Sequence, residues 1–344
     1  MNKSMKDIDK ISFSFVLSAI GNLIGFRNNE ITTPTSYDKY WTEYVIFNFI
    51  NNGGLTNFNP SDYKLSSEYL FLLATIKSIK HKNYLDTLKN NYIETFKFIQ
   101  NDQFERNLDI ITKNSITKII KKEEITYDDN ANSSFAIVRS LPFGLIYKNN
   151  QDIITKSIET TALTHQNGFS IIGGIVVSLI TKYAFNKVPI KKWIENAIDD
   201  LGKIDFKEYK YSKIYLDSKE KYLDKLNLYL ERSINKSKAL IYPSIRSEFY
   251  HRNFNQGKTL YYGNKTDDSI IIAYDCLIDC ISDEKPSFEK LIYLSCLNLG
   301  ESSILGMLSC FWYGLYFGYT DDIPKSLFFN IENMNDILNI KEQL

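Results

Sequence analysis

The stretch Leu299-Gly-Glu-Ser-Ser-Ile-Leu-Gly-Met-Leu-Ser-Cys-Phe-Trp-Tyr-Gly-Leu-Tyr-Phe-Gly318 decides how the chain is read. From Ser302 to Tyr319 it carries no charge, and Gly306, Cys310, Gly314 and Gly318 recur every four residues. On a helix such residues form a stripe that lets a neighbouring helix come close, with Met307, Phe311, Trp312 and Leu315 packing beside it. Gly300-Glu301-Ser302-Ser303, just ahead of the run, reads as a helix N-terminus, with hydroxyls for capping and a carboxylate at the positive end of the dipole. The same four residues at the mouth of a buried helix also suit a metal or an anion. The run sits at the lower edge of a spanning length, about 18 residues. Its serines and cysteine, the acidic Asp321-Asp322 after it and the missing Lys/Arg flanks favour a buried helix over a membrane one.

Outward from this helix, few breakers interrupt the chain. Its 344 residues hold 15 Gly and 7 Pro, against 24 Tyr and 22 Phe. Helix-length periodic segments with so little punctuation predict an all-α protein. The length leaves room for two domains, but no linker or repeat divides it, so one domain over 1–344 is expected. Lys+Arg and Asp+Glu number 41 each, so no global field draws the chain to nucleic acid or an anionic membrane. The N-terminal Met-Asn-Lys-Ser-Met-Lys-Asp lacks the apolar core and cleavage site of a secretory signal. Cys276, Cys280, Cys296 and Cys310 stand in apolar helical contexts without a Cys-x-x-Cys pair, which reads as buried reduced thiols in a cytoplasmic protein rather than as a zinc site.

Helices are expected over 8–25, ending near Gly25; over 36–51, up to Gly53-Gly54; from Ser66-Ser67-Glu68 through Ile76; and over 83–100 and 107–121. Residues 121–132 read as a charged surface loop, and 133–147 as an apolar helix with Pro142 inside. Residues 153–164 and 169–185 form a helix pair broken at His165-Gln-Asn-Gly168, and Pro189 opens another helix. Within 203–238, Leu223, Leu226, Leu230 and Ile234 are placed along one side of a solvated helix, where acids interleaved with Lys argue against nucleic acid. Residues 239–268 show no period and read as a long loop, so 203–268 is the divergent, charged region. Helices resume at 269–281 and 286–298.

Several of these segments together resemble the ADP-ribosylglycohydrolase family, nearest its ADP-ribosylarginine hydrolase branch. Ser18-Ala-Ile-Gly-Asn-Leu-Ile-Gly-Phe26 is similar to the family's N-terminal Gly-Asp-Ala-Leu-Gly-Tyr motif. Gly53-Gly54-Leu55 leads without a gap into Ser66-Ser67-Glu68-Tyr69, where the family carries Ser/Thr-Asp-Asp-Thr. Ala162-Leu-Thr-His165 resembles its Thr-His element, and Ala273-Tyr274-Asp275 a segment before the last motif. Gly300-Glu-Ser-Ser303 with its apolar helix resembles the C-terminal Gly-Asp-x-Asp motif. The resemblance implies an all-α, single-domain orthogonal helical bundle. It also implies two Mg2+ ions held by hydroxyl and aspartate ligands, and cleavage of the N-glycosidic bond between ADP-ribose and arginine. Carried over onto this chain, the metal positions are Ser66, Ser67, Glu68, Glu301 and Ser303, and the catalytic ones Glu68 and Glu301. Ser133, Ser134 and His165 fall at the ADP-ribose cleft, and Glu30 falls near the family's substrate-facing acid.

The chain departs from that pattern at the chemistry. Four aspartates have become two glutamates and two serines, a ligating hydroxyl has become Ile304, and the N-terminal motif's aspartate is Asn22. Mg2+ demands near-octahedral oxygen ligands at roughly 2.0–2.1 Å, and neutral serines do not replace carboxylate charge. Phe135 stands where a glycine lets backbone amides approach a diphosphate. Two functions stay open. One is a pseudoenzyme that binds ADP-ribose or ADP-ribosylated protein; a catalytically silent branch of the family also carries Gly-Glu-Ser in its last motif. The other is an active hydrolase using one Mg2+ or none, with Glu68 or Glu301 as general base. Two residue sets also have plain structural readings: Ser133 and Ser134 as caps of the 133–147 helix, and His165 at a helix C-terminus favoured by the dipole. A monomer is expected.

Overall fold

The computed structural model describes residues 9–31, 38–106, 108–234, 242–254, 262–282 and 285–344, without the side chains of 30–31, 232–234 and 282. The helices run α1 (Lys10–Ile31), α2 (Trp41–Asn51), a single turn α3 (Gly54–Asn57), α4 (Ser67–Ser78), α5 (Tyr84–Asn101), α6 (Ile110–Ile120), a short α7 (Phe143–Ile146), α8 (Asn150–Ala162) and α9 (Gly168–Phe185). They continue with α10 (Trp193–Gly202), α11 (Ser212–Ile234), α12 (Pro243–Asn253), α13 (Thr266–Asp279), α14 (Phe288–Ser295), α15 (Ser302–Phe317), α16 (Met334–Leu338) and α17 (Ile340–Gln343). Among the described residues the only sheet is a two-residue antiparallel pair, Ile281–Ser282 with Lys285–Pro286. The chain is all-α, as its sparse breakers predict.

The helices gather into two compact units, one of Met1–Ser66, Lys236–Asn264 and Asp268–Glu342, the other of Ser67–Asn235, Lys265–Asp267 and Gln343–Leu344. In the first, α1 lies along α15. The small-residue stripe expected on α15 meets a second one on α1, formed by Ser14, Ser18, Gly21 and Gly25. A methyl group on Gly21 would overlap the Gly306 carbonyl and stand 2.8 Å from Cys310 Sγ; one on Gly306 would overlap the Gly21 carbonyl and stand 2.7 Å from Cys296 Sγ. Ser18 Oγ donates to the Met307 carbonyl at 3.0 Å, and the rings of Phe15 and Phe311 meet edge-on at 4.7 Å. The uncharged run is thus a buried helix. Gly318, at φ +78°, ends it. The four cysteines are free and buried, and burial pushes the Cys280 thiol up to about 12.

In the second unit the central element is α9. By length and composition alone it would pass for a membrane span, but 83% of it is buried, against α7, α8, α10, α11 and the 3₁₀ turn Ser134–Ser140. Asn167 starts it cleanly, its side chain accepting from the amides of Phe169 and Ser170.

Several sequence expectations are corrected. α1 does not stop near Gly25 but runs on to Ile31: that glycine is there because its Cα faces the Ser302 backbone, not to break the helix. The segment 133–147 is not one helix. It is the 3₁₀ turn Ser134–Ser140 followed by α7, because Pro142 has no N–H to continue the ladder. Residues 239–268 are not one loop, since α12 and the start of α13 lie within them; 235–241 and 255–261 fall outside the described residues. On α11 the buried stripe is Tyr215, Tyr222, Leu226 and Tyr229, with Leu223 and Leu230 only half-buried. There the tyrosine rings fill the interface while a hydroxyl finds an acceptor, Tyr222 donating to the Thr266 carbonyl at 3.2 Å.

The α1–α15 contact makes a sharp prediction. Gly306→Ala should cost about 1–3 kcal/mol in urea unfolding, the usual penalty for overpacking. Gly202→Ala, where a methyl group meets nothing within 4 Å, should be neutral or mildly stabilising. Equal stability of the two variants would show that the helices do not depend on the missing Cβ.

Candidate functional site

α4 begins at Ser67 with Glu68 in its first turn, and both side chains are buried. Glu68 Oε2 accepts a hydrogen bond from Arg139 Nη2 at 2.8 Å, and neither side chain has any exposed surface. Ser67 Oγ donates to the other carboxylate oxygen at 3.3 Å. Arg139 lies in the 3₁₀ turn Ser134–Ser140. Its Nη1 donates to Thr164 Oγ1 at 2.7 Å and its Nη2 also to Thr112 Oγ1 at 3.0 Å. The guanidinium stacks 4.7 Å over Phe71 and 5.4 Å over Tyr92. A desolvated ion pair survives only with such supplementary partners.

The network extends from Arg139 to a histidine. Asp109 caps α6, its Oδ2 accepting from the Thr112 amide at 2.9 Å and Thr112 Oγ1 at 3.0 Å. The same oxygen lies 3.1 Å from His165 Nε2, which is also 2.8 Å from Ser133 Oγ. His165 Nδ1 is 3.0 Å from Thr164 Oγ1. One assignment of protons satisfies the chain: each threonine hydroxyl accepts from Arg139 and donates onward, Thr112 to Asp109 and Thr164 to His165 Nδ1. Nε2–H is then the donor toward Asp109 and Ser133.

Burial holds His165 below its ordinary value despite Asp109, so the ring is neutral. Burial works against ionised Asp109, but the hydrogen bonds from His165 and Thr112 outweigh it and hold the carboxyl down at about 2. For Glu68 burial is the larger influence, and it pushes the carboxyl up to about 7 despite Arg139. Burial also acts against charge on Arg139, yet Glu68 and Tyr92 keep the guanidinium above its usual range.

The other motif residues belong to the first unit. Asn22 and Ser66 pair reciprocally: Asn22 Nδ2 donates to Ser66 Oγ and the Ser66 amide to Asn22 Oδ1, both at 2.8 Å. At the start of α15, Glu301 Oε1 accepts from Ser303 Oγ at 2.8 Å and from Asn29 Nδ2. Asn29 Oδ1 in turn accepts the Ser302 amide at 3.1 Å, so the helix N-terminus is capped from α1 rather than by its own serines. Tyr262 shapes the turn, its carbonyl accepting from the Glu301 amide at 2.9 Å and its ring filling the space at Gly300. Ile304 is buried and the side chain of Glu30 lies outside the described residues.

The donor set does not fit a two-Mg2+ centre. Among the described residues no group of three or more His, Cys, Asp or Glu is arranged to hold a metal. Glu68 already has a cation, Arg139, within hydrogen-bond distance. Ser133 caps nothing with its side chain; its hydroxyl bonds to His165 instead, while Ser134 Oγ is buried without a partner among the described residues. His165 does close α8 through its amide, bonded to the Thr161 carbonyl at 2.8 Å, but as a neutral ring it brings no charge to the dipole. Sequence reasoning missed Arg139, Asp109 and Asn29. Arg139 had a signal, a lone charge in an apolar run, and Asp109 another, a cap three residues before Thr112. Asn29 had none.

Comparison with known proteins bears on the whole chain. The family profile described as ADP-ribosylglycohydrolase matches residues 4–344. The ADP-ribosylhydrolase ARH1 of Dictyostelium discoideum is 24% identical over 383 residues, covering 98% of this chain and 93% of that protein. A protein of Acanthamoeba polyphaga mimivirus named as ADP-ribosyl glycohydrolase L444 is 23% identical, covering 94% of this chain and 67% of its own length. A solved structure titled ADP-ribosylglycohydrolase-related protein complex shares the fold, with a TM-score of 0.61 at 12% identity over 97% of this chain and 96% of that one.

Two measurements test the network. Glu68→Ala leaves a buried charge unpaired and should cost about 3–5 kcal/mol; Glu68→Leu with Arg139→Met should restore most of that loss. No recovery in the double variant would mean that the pair is not a coupled unit. Asp109, depressed when folded, contributes stability above its unfolded value that is lost as pH falls toward about 2. The stability gap between the native chain and Asp109→Asn should therefore narrow by about 2 kcal/mol between about pH 5 and pH 2.

Proposed function

The chain belongs to the ADP-ribosylglycohydrolase family, and we propose that within it this protein is a hydrolase-like pseudoenzyme that acts by binding ADP-ribose or ADP-ribosylated protein. One observation carries the reading. The carboxylate at the family's first metal motif, Glu68, is buried and bonded to Arg139, so a protein cation neutralises the charge that a metal would. Glu301 adds little, since its Oε1 is already an acceptor for Ser303 and Asn29. The binding role rests on family membership and on the second unit, where Ser133 and His165 are held to each other and Ser134 Oγ is buried without a partner among the described residues. A phosphate oxygen is the kind of acceptor that hydroxyl lacks. The profile match runs through both units, so we read 4–344 as one family domain, and the free, buried thiols suit a reducing cytoplasm.

One observation favours the alternative, an active hydrolase that cleaves ADP-ribose from protein arginine with one Mg2+ or none. Burial brings Glu68 to about 7, where a general base works best. The guanidinium against it and its lack of any exposed surface weigh the other way, because a general base must reach its water.

Calorimetric titration with ADP-ribose, with and without millimolar Mg2+, beside an assay on ADP-ribosylated arginine, separates the two. Binding indifferent to Mg2+ and no release of ADP-ribose is the expected result. Mg2+-dependent release that disappears in Glu301→Ala would overturn it.

A further inference from the structure

At about 100° per residue, Asn22 and Asn29 point in nearly the same direction from α1, while Ile24 and Arg27 stand roughly 140–200° away. That second face lines a cavity of about 330 Å³, closed by α2 and by Leu297 ahead of α15. Ile24, Val45, Phe49 and Leu297 are buried and make its walls apolar. Four polar residues line it: buried Asn28, bonded to the Asn298 carbonyl and Ser302 Oγ, exposed Asn52, bonded to the Asn48 carbonyl, and the half-buried Arg27 and Asn48. The side chains of Arg27 and Asn48 make no hydrogen bond or ion pair with any described residue.

Arg27 is nevertheless held in place. Its guanidinium lies 4.9 Å over the ring of Tyr63, which is stacked on Phe58 at 5.0 Å with the planes 10° apart. Stacking uses the face of a guanidinium and leaves its N–H edge open. A positioned guanidinium edge without an acceptor, at a mainly apolar cavity of ligand size, is an arrangement for capturing an oxyanion in two parallel hydrogen bonds.

We propose that this cavity binds a small organic oxyanion, a carboxylate or phosphate carried on a flat apolar body. Arg27 takes the oxyanion, Asn48 a polar substituent, and Phe49, Ile24 and Leu297 the body. The proposal uses none of the residues around Glu68 or Glu301, so it stands or falls separately from the pseudoenzyme reading.

The test is calorimetric titration of the full chain with benzoate, phenyl phosphate and neutral benzamide. At least one of the two anions should bind saturably at about 1 mM or tighter, and benzamide at least about tenfold more weakly. Which anion saturates identifies the head group. Arg27→Gln should weaken that anion by about tenfold or more, with its thermal unfolding otherwise unchanged. If Arg27→Gln loses its unfolding transition, Arg27→Lys replaces it, keeping the charge but losing the fork, and should weaken the anion by several fold. The proposal is overturned if neither anion binds up to about 10 mM, if benzamide binds as well as benzoate, or if the Arg27 variant binds like the native chain.

Discussion

A guanidinium cut off from water must find its partners inside the protein, and Arg139 is such a group. Its terminal nitrogens reach Glu68, Thr112 and Thr164, while Nε has no acceptor among the described residues and the charge leans on the rings of Phe71 and Tyr92. Those partners come from α4, α5, α6 and the turn after α8. One residue therefore sets the register of four segments against the 3₁₀ turn that carries it. The arrangement is all or nothing: an ion pair in low dielectric is tolerable when complete and costly when one member is lost. It also has a chemical consequence. A carboxylate that balances a permanent cation has little charge left to offer a metal ion.

In the first unit the corresponding constraint is steric. α1 and α15 touch through backbone, because Gly21 and Gly306 each leave room only for the other's carbonyl. With the helices this close, residues on α1 can serve the end of α15. Asn29 caps it and bonds to Glu301, and Ser18 donates to Met307. The Glu301-Ser302-Ser303 turn is consequently an assembled structure rather than an autonomous cap. The face of α1 turned away from α15 is free to line the cavity at Arg27.

Much of the fold could be read in the chain. Asn167 before Gly168, and the stripe from Gly306 to Gly314, carry their signals within one or two helical turns, and there local reading suffices. Gly25 misleads because glycine serves two purposes, ending helices and admitting neighbours, and only the neighbour tells which. The tyrosines of α11 mislead because hydropathy treats them as surface residues, whereas a buried tyrosine needs only one acceptor for its hydroxyl. The candidate site was legible as a set of departures from a motif. What the substituted residues do instead was not.

The sequence by itself determined the all-α class and the buried character of the uncharged helix, since composition and periodicity are local properties. The tertiary structure alone decided that Glu68 meets Arg139, 71 residues away, that His165 meets Asp109, and that Asn29 meets Glu301, 272 residues away. The physical reason is that the charge state and reach of a carboxylate depend on its desolvation and on the donors around it. Both are set by segments that share no neighbourhood in the chain and come together only when it folds.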